Sequence, residues 1–316
     1  MKGKIGKFLL LPILGLLTLS ISCNKTSDPT ANNAVYGCMD KQSINYNPSA
    51  TVDDKSCYYV PTTQQTSNAV IELYTGVRAK YGPAAQTIAQ GIQNNNPNSV
   101  ILLNIHTGSY AIPKTEWPDF HCAFGDSLAE LAGLGQPNTD YPGASVNRYH
   151  FTDYPTVAAK KMVAGESFTV LYKDGILLAV TEWVKKTSPV NIALATYWTA
   201  TSKTLKVMVE YYYTAAETYP NYLNVAILEN GLTGKQISLT DTLPNYIQDH
   251  VLRTFLTGQW GVLIATTVGT RIKKTFEYTV PAGINIDNCY VAAYISREIN
   301  GEKVYILSGK QKKAKI

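Results

Sequence analysis

Six segments, residues 191–198, 204–213, 222–229, 273–280, 290–295 and 303–308, carry the alternating pattern of half-buried strands. Successive side chains of a strand point to opposite faces, so a period of two commits one row of each segment to a core and the other to solvent. Gly, Pro and Asn between the segments supply turns, and the expected architecture for residues 188–316 is an antiparallel, immunoglobulin-like β-sandwich. Trp198 and part of the 22 Tyr would fill its core. With 45% hydrophobic and 16% charged residues in a chain of 316, enough apolar side chain remains for a second core.

Upstream the period changes. Residues 69–74 and 99–106 are short apolar runs, and between them 83–93 opens on Pro83 and reads as a helix, so the three make a βαβ unit. A second helical stretch at 117–134 precedes 141–148, where Pro142 stands just before a strand-like segment. Thioredoxin folds place a cis-proline there, opposite the start of the first helix, which makes Pro142 the cis-proline candidate. The fold class expected is α+β in two domains, a thioredoxin-like α/β domain over 68–187 followed by the sandwich.

Residues 1–22 have the form of an export signal: Lys2, Lys4 and Lys7, an apolar run from Phe8 to Ile21, and small residues before Cys23. The run is too short to span a bilayer as a stable anchor. Leu19, Ser20, Ile21, Ser22 and Cys23 look like a lipoprotein signal, in which Cys23 takes a diacylglycerol and a fatty acyl group and becomes the new N-terminus. Asn24 behind it points, by resemblance to bacterial sorting, to the outer membrane, and 23–35 reads as a flexible tether. In the module 36–60, Cys38 and Cys57 are expected to pair, since the compartment is oxidising and the segment has little apolar core of its own. Asp40, Asp53 and Asp54 are weak Ca²⁺ candidates there: they offer hard oxygens, but their spacing is not that of an EF-hand, and Asx residues in turns commonly bond their own backbone.

The segment 72–85, His106, and Pro142 through Arg148 together resemble the 28-kDa outer-membrane lipoprotein family, a thioredoxin-like group, and with the C-terminal half the similarity extends over 68–312. Many members carry Cys-x-x-Cys at the helix start behind a Thr-Gly pair. Here Thr75 and Gly76 are present, but Ala79 and Gly82 stand at the cysteine positions. Thiol–disulfide exchange needs a thiolate, so the resemblance implies a redox-inactive domain. Cys122 and Cys289 have no resolving partner nearby in sequence; a buried structural thiol is the expectation for Cys122, and a Cys122–Cys289 bridge is the alternative. His121 beside Cys122 does not form a pair with it on a helix, where adjacent positions diverge by about 100°.

Six further residues are candidate partner or ligand contacts. His106 closes a strand where the family often has a histidine, and Asn147-Arg148 is a recurrent family signature suited to a loop anchor, a domain contact or a ligand. His250, Arg253 and Trp260 lie in 245–261, which resembles the family's C-terminal signature and reads either as a long recognition loop or as a packed crossover anchored by Trp260. The lysines at 310, 312, 313 and 315 read as a solvated tail.

Three of the lysines behind the +5 formal charge lie in the leader, leaving +2 on the remainder, so nucleic acid is not an expected partner. No phosphate-binding Gly-Lys loop, dinucleotide fingerprint, zinc-helix pattern or nucleophile elbow is present, and neither a nucleotide nor a protein-held cofactor is expected. The chain reads as a lipid-anchored outer-membrane binding or accessory protein without catalytic residues, engaging an outer-membrane protein or transporter complex. A thiol oxidoreductase or peroxidase using Cys122, and a surface adhesin or carbohydrate- or peptide-binding lipoprotein, are the alternatives.

Overall fold

The computed structural model describes residues 34–132, 134, 141–151, 156–159, 169–171 and 173–315. The export leader, Cys23 and most of the tether lie outside them. No helix among the described residues is long and apolar enough to cross a membrane.

The small module pairs β1 (Tyr36–Gly37) with β2 (Val52–Asp53) and is closed by the Cys38–Cys57 disulfide. Its Asx residues hold turns. Asp40, Asp53 and Asp54 each accept a backbone N–H two residues on, from Gln42, Lys55 and Ser56 at 2.8–3.0 Å. These turns give the carboxylates backbone partners, and among the described residues no three His, Cys, Asp or Glu side chains gather in one place. Ile44 and Val60 pack the module onto the body against Ala193, Ala195 and Met208. A cross-link over a sequence separation of 19 should contribute about 3 kcal/mol through the chain entropy it removes. Cys57→Ser should therefore open residues 36–60 to proteolysis while the body keeps its cooperative thermal transition; loss of that transition would contradict the assignment of this energy to the module.

The βαβ unit is present. Strand β3 (Ala69–Thr75) runs parallel to β4 (Val100–His106), joined by α1 (Gly82–Asn95), with Pro83 in the first turn where its missing N–H costs nothing. Every residue of both strands is buried, as expected for a sheet covered on both faces. Helix α2 (Ala123–Ala132) follows, then β5 (Gly143–Val146), β6 (Thr156–Ala159), β7 (Thr169–Leu171) and α3 (Lys173–Trp183), with β5 antiparallel to β3. The C-terminal part holds β8 (Val190–Thr199), β9 (Thr204–Tyr213), β10 (Asn221–Glu229), β11 (Leu232–Ile237), β12 (Thr242–Gln248), β13 (Val251–Phe255), β14 (Val262–Ile264), β15 (Arg271–Thr279), β16 (Cys289–Ile299) and β17 (Glu302–Lys313).

All six period-two segments are strands, and they form two facing layers. Antiparallel β8, β9 and β15 lie over β10, β16 and β17, with Leu194, Val207, Tyr211, Tyr213, Val225, Val291 and Ile295 in the core between. Trp198 sits at the rim of this core, half-buried. The inner layer does not end with the sandwich. Strand β13 pairs in parallel with β4, so one ten-stranded sheet, in the order β17-β16-β10-β13-β4-β3-β5-β7-β6 with β14 beside β10, runs through both halves of the chain. Val70, Tyr74, Leu103, Leu228, Leu252, Tyr294 and Ile306 meet with Leu128 of α2 in one core, and the sheet curls around it until β17 returns to β3. The halves expected from sequence thus share one core in addition to the core that each closes by itself.

Of the two readings of 245–261, the same sheet overturns the recognition loop and favours the packed crossover, with Trp260 against the core. Most of it is β12, a turn through His250 at φ 56°, and β13. Its backbone is spent on pairing with β10, β11 and β4, which leaves only 256–261 as loop.

Candidate functional site

Ligand sites of α/β sheets form at the carboxyl ends of the parallel strands, where Thr75 and His106 are register partners and α1 begins. Gly76 is required there by a close approach: a Cβ would overlap the backbone of Tyr110, and Arg78 N donates to Tyr110 O at 3.1 Å. The Tyr141–Pro142 peptide on the neighbouring β5 is cis. Ala79 and Gly82 are both buried, and a Cβ built on Gly82 would lie 3.7 Å from that of Ala79, within the spacing of bridged cysteines. Neither position carries sulfur.

The space above them is filled from the other half of the chain. The β11–β12 hairpin lies across the start of α1, with Gln236 Nε2 donating to Ala79 O at 3.1 Å and Gly76 O at 3.4 Å, and Ile237 N donating to Val77 O at 2.8 Å. Gln248 Nε2 bonds Gln236 Oε1 at 2.7 Å, Asn104 Nδ2 reaches Gln248 Oε1 at 3.5 Å, and Lys235 pairs with Glu116 at the rim at 3.2 Å. His106 is enclosed beneath, with Phe120 edge-on to its ring and no hydrogen-bond partner for either ring nitrogen among the described residues. Burial pulls its pKa down to about 4 despite the adjacent Gln248 amide, so the imidazole is neutral at pH 7.

His106, Asn147 and Arg148 are all inaccessible, which corrects the expectation that they touch a partner. Asn147 and Arg148 anchor β17 to β3 instead. Asn147 Nδ2 donates to Ile306 O at 2.7 Å and to Asn68 O at 3.1 Å, while its Oδ1 accepts Val70 N at 2.8 Å. Arg148 forms a two-point ion pair with Glu72, Nη2 to Oε1 at 2.6 Å and Nε to Oε2 at 2.9 Å, with both side chains 0% exposed. Its Nη1 donates to Lys303 O at 2.8 Å, and Glu72 also accepts from Tyr74 OH and Ser145 Oγ, each at 3.1 Å. Charge against charge holds the guanidinium fully ionised, its pKa raised against the pull of burial. Sequence reading missed Glu72 and the two glutamines. Glu72 had a signal: one carboxylate inside the buried run Ala69–Thr75 must have a partner.

The other candidates scatter. His250 is buried, its backbone carbonyl accepting Asn104 N at 2.8 Å, and burial lowers its pKa. Arg253 pairs with Glu229 at 3.2 Å. Trp260 packs on the shared core and lines a cavity of about 430 Å³ with Leu131, Tyr222 and Lys303.

The thiols are separated by the sheet. Cys122 lies in the shared core and Cys289 in the sandwich core on the opposite face, both free, which overturns the bridged alternative. Burial raises the Cys122 pKa and pushes that of Cys289 up to about 12. His121 turns from Cys122 to Asp126 at 2.8 Å. Neither thiol should react with an alkylating reagent in the native protein at neutral pH, and both should react on unfolding; fast native labelling of Cys122 would contradict this burial.

The family model described as outer membrane protein Omp28 matches residues 139–313, more than half of the chain. No curated protein matches it. Among solved structures, HBP35 of Porphyromonas gingivalis is similar in fold, with a TM-score of 0.59 and 17% identity over 79% of this chain and 76% of that one. A protein of Agrobacterium tumefaciens has a TM-score of 0.48 and 12% identity over 80% of this chain and 96% of its own. A domain of the outer membrane lipoprotein Omp28 from Porphyromonas gingivalis has a TM-score of 0.29 and 16% identity over 40% and 89%.

Proposed function

The chain belongs to the Omp28 outer-membrane protein family, and from that premise we propose that it is a lipid-anchored, non-catalytic accessory protein that serves a partner in an outer-membrane protein or transporter complex. One observation carries the reading. The end of the βαβ unit, where a thioredoxin-like enzyme would present its dithiol, holds Ala79 and Gly82 under the β11–β12 hairpin. A disulfide substrate would have to displace Gln236 and would then meet no sulfur. The order β-α-β followed by antiparallel β5 and β7 and then α3 supports a thioredoxin-like ancestry for this half, and the two facing layers support an immunoglobulin-like one for the other.

With His106, Asn147 and Arg148 enclosed, the contact is assigned to the exposed edge beyond Trp260, where Val262 and Leu263 stand on β14. The test is mild detergent extraction of the lipidated protein and identification of what co-migrates in stoichiometric amount. We expect an outer-membrane partner that is lost with Leu263→Asp. A protein that migrates alone would end this reading. Turnover of a model disulfide, abolished by Cys122→Ser, would replace it with the oxidoreductase alternative.

A further inference from the structure

A second cavity, of about 700 Å³, opens between the disulfide module and the outer face of the β8-β9-β15 sheet. Its floor follows from strand register. Arg271 stands opposite Tyr212 and Lys273 opposite Glu210, so all four project from the same face. Lys41 and Gln42 line it from the module side.

The charges in this cleft do not cancel one another. Glu210 is buried at its base and accepts Val60 N at 3.0 Å, and Asp40 nearby is engaged by the Tyr59 hydroxyl and by Gln42 N. Lys273 donates to the Ser43 carbonyl at 2.9 Å and has two further N–H groups. Arg271 lies over the Tyr59 ring at 5.7 Å, and among the described residues neither it nor Lys41 forms an ion pair with a carboxylate. Three cations thus face two carboxylates, Glu210 and Asp40, both already engaged by hydrogen bonds, and the concave space keeps an excess of positive charge. A single oxyanion would leave most of that volume empty, whereas a few sugar rings would fill it, with Tyr212 as an apolar face and Thr62, Thr270 and Gln42 as hydrogen-bonding groups.

The geometry points to a binding site for an anionic saccharide, its sulfate or phosphate groups on Lys41, Arg271 and Lys273. The site stands apart from the Leu263 edge and does not depend on a protein partner.

The lipidated protein in detergent would be titrated calorimetrically with a sulfated tetrasaccharide, a phosphorylated glucosamine disaccharide, a neutral tetrasaccharide and inorganic sulfate. Saturable binding of either charged saccharide is expected, and the tighter of the two identifies the source of the charge. The neutral sugar and inorganic sulfate should bind at least about tenfold more weakly, and affinity should fall with added salt. Lys41→Glu and Arg271→Gln, both at exposed positions, should each weaken binding about tenfold with an unchanged melting temperature. Absence of saturable binding by both charged saccharides, or equal affinity in the two variants, would overturn the assignment.

Discussion

Arg148→Met should lower the unfolding free energy by about 3–5 kcal/mol, because it leaves the Glu72 carboxylate enclosed without its counter-charge. The size follows from the asymmetry of buried ion pairs. Desolvating both charges has already cost most of what their attraction returns, so the intact pair adds little, but the orphaned carboxylate keeps its full penalty. Its remaining donors, Tyr74 and Ser145, are neutral hydroxyls that cannot replace a guanidinium. The pair also spans the fold, since Glu72 is on β3 while Arg148 reaches the backbone of β17 through Lys303. The double variant Glu72→Leu/Arg148→Met, which removes both charges, should therefore recover much of the loss. Denaturant unfolding of the wild type, Arg148→Met, Glu72→Leu and the double variant would measure this. A single-variant loss below about 1 kcal/mol would mean that water reaches the pair, contrary to its burial.

Lowering the pH from 6.5 to 4 should cost the native state about 3 kcal/mol at His106 alone, at about 1.4 kcal/mol per unit of pKa shift. The unfolded chain takes up a proton near pH 6.5, whereas the folded imidazole does so only at about 4. Between these values the unfolded state binds more protons, so stability falls as the pH falls; above 6.5 the group makes no contribution to pH dependence. His250, also lowered by burial, acts in the same direction. Carboxylates held below their usual range, Asp40 by Tyr59 and Asp54 by Ser56, titrate beneath this window. The His106→Gln variant should lose most of the slope between pH 4 and 6.5, and a wild-type slope retained in it would show that the ring is hydrated in the native state.

Much of the framework was legible from local pattern. Period-two runs marked β8, β9, β10, β15, β16 and β17 because a strand facing a core must alternate. Pro83 marked the first turn of α1, and two cysteines bracketing a stretch poor in apolar residues marked the closed module. What stayed hidden concerned partners. Alternation tells which face of β13 is buried but not that its edge meets β4, although Asn104 and Val251, far apart along the chain, are register partners once the chain folds back. For the same reason 245–261 resembled a loop: its backbone partners lie in three other strands.

Residue chemistry and short-range spacing were thus determined by the sequence alone: Ala79 and Gly82 carry no sulfur, Cys38 and Cys57 lie close enough along the chain to close a module, and the strands alternate. Tertiary structure alone decided access and pairing. It set Gln236 over the helix start, enclosed His106, gave Glu72 its Arg148, and put Cys122 and Cys289 on opposite faces of one sheet. Those outcomes depend on which strands become neighbours, a choice made by the summed burial of many distant side chains and written in no single stretch of the chain.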